Sequence, residues 1–123
     1  MALSVSSQVS PIATKLILQT DSNSTADNDV LNAPGTIYII DVDNALNVAQ
    51  DVYFKLWDHA GPTVGTTAPD MVCLVRQGDR RQLAVTEGVA FATAISMATV
   101  TTGGTTGTTS PGSAVTIRIL ASL

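Results

Sequence analysis

The chain has 123 residues, 45% hydrophobic and 13% charged, with a formal net charge of −4. That suffices for one domain with a modest core and excludes a disordered acidic tail. No basic run is dense enough to follow a phosphate backbone and no apolar run approaches the roughly 18 residues of a spanning helix, so neither nucleic acid nor a membrane is an expected partner.

Residues 1–11, MALSVSSQVSP, lack the basic region and long apolar run of a secretory signal. Small polar residues with scattered Leu3, Val5 and Val9 suit an extended N-terminal arm lying on another subunit and ending at Pro11. The remainder, 12–123, is expected to form the domain. ATKLILQT predicts a strand, with Leu16 and Leu18 on one side and Lys15, Ile17 and Gln19 on the other. DSNSTADND then sets Asp21, Asn23, Thr25, Asp27 and Asp29 at alternate positions, a spacing that calcium loops use. Ala26 stands where the sharp-turn glycine of such a loop belongs and Asn32 where its glutamate belongs, so a solvated loop without metal is expected.

TIYIIDV is apolar on both faces, as a central strand can be, and DNALNVAQD reads as a loop between sheets. DVYFKLWD alternates Val52, Phe54 and Leu56 against Tyr53, Lys55 and Trp57. Phe54 and Phe91 are expected in the core, and Trp57 against a loop or a neighbour, with stacking on a sugar as the alternative. His59 follows Asp58 in a loop without a nucleophile held by an orienting network, which predicts a turn residue. DMVCLVR predicts an apolar strand around Cys73, the only cysteine, so no internal disulfide can form.

RQGDRR carries Arg76, Arg80 and Arg81, half of the basic residues, at an expected hairpin tip; their forked guanidinium groups suit the carboxylates of a neighbouring copy, such as Asp21, Asp27 and Asp29. RQLAV and AISMATVT predict two more strands, with TEG as a turn between them. Glu87 is the only glutamate, and no carboxylate pair suits acid–base chemistry. TTGGTTGTT lacks the GK[ST] ending of a phosphate loop and reads as a flexible hairpin connection, with Thr105 and Thr106 at its middle. SAVTIRIL predicts the last strand.

Short alternating runs between turn signals, with no helix, predict an all-β fold: a single antiparallel β-sandwich, jelly-roll or Ig-like, of about eight strands. Such a sandwich buries one face of each sheet. Apolar residues on the other faces, Tyr53 and Trp57 among them, therefore predict an interaction patch and a homo-oligomer.

From Asp51 to Val100 the chain resembles a module of structural proteins of tailed bacteriophages, including cyanophages. The resemblance rests on a strand like VYFKLWD, a loop like PTVGTTAPD, a second apolar strand and then GVAFATAISMA, followed by a Thr/Gly/Ala-rich loop and a strand like AVTIRIL. It departs from the commonest form at VRQGDRRQL, where a Pro/Ala/Gly-rich linker is more usual. The resemblance implies a non-enzymatic virion protein of the capsid decoration or cement type, made in the host cytoplasm and bound to the capsid surface. It implies the major capsid protein as partner, a homotrimer, no cofactor, no small-molecule substrate and no catalytic residue. A tail or baseplate component, or a glycan-binding module using Trp57 and His59, are the alternatives. The interface is expected at Arg76, Arg80, Arg81, Trp57, Tyr53, Thr105 and Thr106. The long uncharged loop at 101–114 would then cover a neighbour without burying charge.

Overall fold

The computed structural model describes residues 13–123, and the arm expected at 1–11 lies outside them. Two antiparallel sheets face each other, and no helix is present among the described residues. The strands are β1 (Lys15–Ser22), β2 (Gly35–Asp43), β3 (Val52–Trp57), β4 (Met71–Val75), β5 (Arg80–Phe91), β6 (Ser96–Val100) and β7 (Val115–Ser122). One sheet has the order β1-β7-β2-β5 and the other β4-β3-β6. This is the expected antiparallel β-sandwich.

Alternation sets the core. Ile117, Ile119 and Ala121 of β7 point inward with Val42 and Ile40 of β2, against Val52, Phe54 and Leu56 of β3 and Met97 of β6. Phe91 joins them, as expected. Each fully buried side chain of this kind contributes about 1.5–3 kcal/mol relative to exposure.

β2 is apolar on both faces for a specific reason. Ile37 pairs with Ala121 and Ile39 with Leu120, so Tyr38 is an extra residue against β7. On the other side, Ile37 pairs with Val89 and Ile39 with Ala84, leaving Val85–Gly88 opposite Tyr38 alone. The bulge resets the alternation: Ile37 faces the core before it, Ile40 and Val42 after it, and Ile39 is left partly buried on the outer face. It also corrects the turn expected at TEG. Those residues bulge out of one long β5, where Gly88 has φ 78° and a Cβ would stand 2.9 Å from the Tyr38 ring.

Two further connections differ from expectation. RQGDRR joins β4 to β5, and the Thr/Gly-rich segment joins β6 to β7; each therefore crosses between sheets and neither is a hairpin. The link between β2 and β3 crosses at the same end, and DNALNVAQD, a loop as read, ties the three together. Buried Asn44 donates through Nδ2 to the carbonyls of Gln50 and Arg76 (3.0 and 3.1 Å), and buried Asn47 donates to Asn44 Oδ1 (2.8 Å) and to the Ser113 carbonyl (3.0 Å) while accepting from Ser113 N–H (2.8 Å). These amides satisfy loop groups that would otherwise be buried unpaired.

Candidate interaction surface

The residues that carried the enzymatic and ligand alternatives have structural roles. The Asp58 carboxylate accepts from the backbone N–H groups of Thr93, Ala94 and Ala92 (2.7–3.2 Å), fixing the link from β5 to β6. The Thr93 N–H foremost, with those of Ala94 and Ala92, holds the Asp58 carboxyl below the usual range against a smaller opposing effect of desolvation. His59 Nδ1 accepts from Gly61 N–H (2.9 Å), and its carbonyl accepts from the Ser96 hydroxyl. The segment after β1 lies along the free edge of β6: Asp27 exchanges backbone hydrogen bonds with Met97, and Thr99 N–H donates to the Asn23 carbonyl. The Asp27 carboxylate accepts from the Gln19 amide. No group of His, Cys, Asp or Glu among the described residues could hold a metal ion. Burial pushes the Cys73 thiol above its usual range, Arg81 opposing weakly, so this cysteine is a core residue.

The outer face of the three-stranded sheet carries a third layer made of loops. Trp57 is 0% exposed, and its indole N–H donates to the Thr67 carbonyl (2.9 Å) of the loop between β3 and β4. That loop is held by Asp70, whose N–H donates to the Leu56 carbonyl (2.8 Å) and whose carboxylate accepts from Asp58 N–H (2.6 Å). Lys55, also 0% exposed, donates to the Thr106 carbonyl (3.2 Å) of the Thr/Gly-rich loop, and desolvation holds its pKa below 10.5. Gly103 lies on Tyr53, where a Cβ would come within 2.8 Å of the ring. The two loops, from opposite ends of the sandwich, meet where Gly65 abuts Thr108. Thr101 N–H donates to the Thr109 carbonyl (3.1 Å) and closes the second loop on itself.

Trp57 lies against a loop, one of the two places expected for it, and this takes its ring out of the expected interface. A buried Trp57 can meet neither a neighbour nor a sugar, and Tyr53 is half-buried under its own loop. Thr105 and Thr106 belong to a segment packed on its own sheet, with Thr106 the more exposed. The sharpest sequence signal was the pair of aromatic rings, Tyr53 and Trp57, on the second face of β3. What covers it could not be read from spacing.

The outer face of the four-stranded sheet is different. Leu16, Leu120, Ile39 and Ala84 stand opposite one another in a single cross-strand row, and Leu18, Arg118, Asp41 and Gln82 form the next. Leu16 is 62% exposed and Leu18 53%. Arg80 lies on this face and forms the only salt bridge among the described residues, its Nε donating to Asp41 Oδ1 (3.0 Å) and its Nη2 to Oδ2. The hydrogen bond from Arg80 holds the Asp41 carboxyl below its usual range against the cost of burial, and the charges of Arg80 and Arg118 add to this. Arg81 points to the core side and reaches across the sheets to the Leu74 carbonyl (3.1 Å), while Arg76 is exposed on the link before β5. The three arginines therefore share one rim, but Arg80 already holds a carboxylate of its own chain.

The fold places the chain in the class of antiparallel β-sandwiches, with a candidate surface that is a flat sheet face and its rims. A scan against protein-family models, a search of curated proteins and a search of solved structures each found no match.

Proposed function

We propose that the chain is a non-enzymatic virion structural protein of the capsid decoration or cement type, binding the outer capsid surface as a homotrimer and stabilising the shell. The observation that carries this reading is the open sheet face. A row of apolar side chains with a rim of arginines and carboxylates suits a broad protein surface, whereas small ligands are held in concave pockets with convergent polar groups. The phage-module resemblance supplies the kind of assembly. The partner is the major capsid protein, and burial of the face lowers the free energy of the assembled shell relative to separated subunits. Burial of Trp57 removes the aromatic platform of the glycan reading. The second structural reading, a tail or baseplate component, uses the same face.

Electron microscopy of intact particles tests this. Density for the chain on the outer capsid surface at three-fold positions is the expected result. Density confined to the tail replaces the decoration reading with the second one, and particles without the chain overturn both.

A further inference from the structure

The edges of the two sheets are treated unequally. β6 is covered by the segment around Asp27. β4 is short, and Arg81 caps its Leu74 carbonyl. Among the described residues, two edges of the four-stranded sheet remain unpaired: β1, paired with β7 without irregularity over Lys15–Gln19, and β5, paired with β2 without irregularity over Arg80–Ala84. Unpaired strand edges are templates for strand addition.

The two edges match. β1 and β5 lie at opposite ends of the order β1-β7-β2-β5, and every neighbouring pair is antiparallel, so β5 of a second copy set beside β1 is antiparallel to it as well. Continuing the cross-strand rows at the same level sets Ala84 beside Leu16, and Leu83 beside Ile17. Ile17 and Leu83 are the core-facing residues at the two rims, each half-buried against the core cluster. The charges match in the same register. Gln19 comes level with Arg81, Thr20 and Asp21, two residues against one at the irregular end of β1, come level with Arg80 and so next to Arg81, and Lys15 comes to the bulge that carries Glu87. None of Asp21, Lys15 and Glu87 has an ion-pair partner among the described residues.

We infer that β1 of one copy adds to β5 of the next, head to tail, joining their four-stranded sheets into one. Identical copies repeat a contact of this kind until a ring closes. A ring of three agrees with the proposed decoration role, but the contact does not depend on that role, and its test uses the isolated protein. A two-fold pairing of β1 with itself is the competing geometry. It would also bring Lys15 to Asp21 but would leave the β5 rim unused.

Charge reversal separates the two. Sedimentation of the full chain at micromolar concentration is expected to show an oligomer. Asp21→Lys and Arg81→Glu should each weaken it at least tenfold, and the double variant should restore it, because like charges across an interface repel and the swap makes them opposite again. A wild-type monomer overturns the inference, and so does Arg81→Glu without effect. Disulfide formation gives a second readout, independent of Arg81 and its bond to Leu74. Leu18→Cys with Gln82→Cys in one chain should give covalent oligomers on oxidation, since within a chain these positions are three strand spacings, about 14 Å, apart and beyond disulfide reach. Covalent dimers from Leu18→Cys alone would show the two-fold pairing instead, and no covalent species from the double variant counts against the contact.

Discussion

On the outer side of the three-stranded sheet, Tyr53, Lys55 and Trp57 lie under two loops of their own chain. On the outer side of the four-stranded sheet, Leu16 is mostly exposed, Ile39 and Leu120 are only partly covered, and nothing among the described residues packs over Leu16. Both faces carry large apolar side chains, so apolar content does not decide which is covered. The difference lies in connection length. The links that cross the first face are long and rich in backbone donors and acceptors close to the surface; the one between β6 and β7 carries no charge, and the one between β3 and β4 keeps its two carboxylates, Asp58 and Asp70, at its ends on backbone N–H groups, so both can lie on apolar and basic side chains without stranding a charge. Among the described residues, the one long segment next to the second sheet, between β1 and β2, is used on the edge of β6.

Breaking the covered face should cost most. Trp57→Ala removes a fully buried ring and the bond to Thr67, and a loss of about 3–5 kcal/mol is expected in denaturant unfolding. A loss under 1 kcal/mol would mean that the loop layer does not pack in solution. Gly107→Ala comes next. Gly107 has φ 110°, and a Cβ there would stand 2.7 Å from Thr102 Cβ, so about 1–3 kcal/mol of strain is expected, measurable as a lowered Tm.

Lys55→Met should act in the opposite direction, stabilising by on the order of 1 kcal/mol at neutral pH, because a buried ammonium with one hydrogen-bond partner is replaced by an apolar chain of similar length. Its pH dependence sharpens the point. The folded Lys55 gives up its proton below 10.5 while the unfolded chain holds it to 10.5, so the unfolded state binds more protons in that interval and wild-type stability gains from this group as pH rises through it. The advantage of Lys55→Met should therefore shrink with rising pH. The raised Cys73 pKa acts equally in both proteins and cancels in the difference. An advantage independent of pH would show that Lys55 is solvated.

The smallest effect on folding is expected on the bare face. Leu16→Thr should change monomer stability by no more than about 0.5 kcal/mol while weakening self-association and particle binding. A destabilisation of 2 kcal/mol in the monomer would mean that residues of the chain itself cover this face.

The strands were legible because their alternation is local. Val115, Ile117 and Ile119 declare one face of β7, and Val52, Phe54 and Leu56 one face of β3, within a few residues each. The bulge at Tyr38 was not, because it is defined by what stands opposite, and an apolar run with one residue too many looks like a two-faced strand. The fate of the Thr/Gly-rich loop was hidden for a related reason. Its partners, Tyr53 and Lys55, lie some fifty residues earlier, and its bonds use carbonyls that every residue type possesses. Asn44 and Asn47 gave no signal beyond turn propensity, although their amides join three crossings. Arg80 and Arg81 were legible as a cluster but not as partners of Asp41 and Leu74.

β7 sits between β1 and β2, and it pairs with β1 across about a hundred residues of chain: Leu16 meets Leu120. During synthesis, β1 and β2 have emerged long before the strand that must lie between them. Until residues 115–122 arrive, the four-stranded sheet cannot exist, and the leucines of β1 have no native strand beside them. Loop closure over such distances makes folding slow relative to helical chains of this size. A nascent or truncated chain that stops short of Val115 offers vacant edges to any other copy in the same state, so the timing of one late strand decides whether growing chains fold singly or tangle.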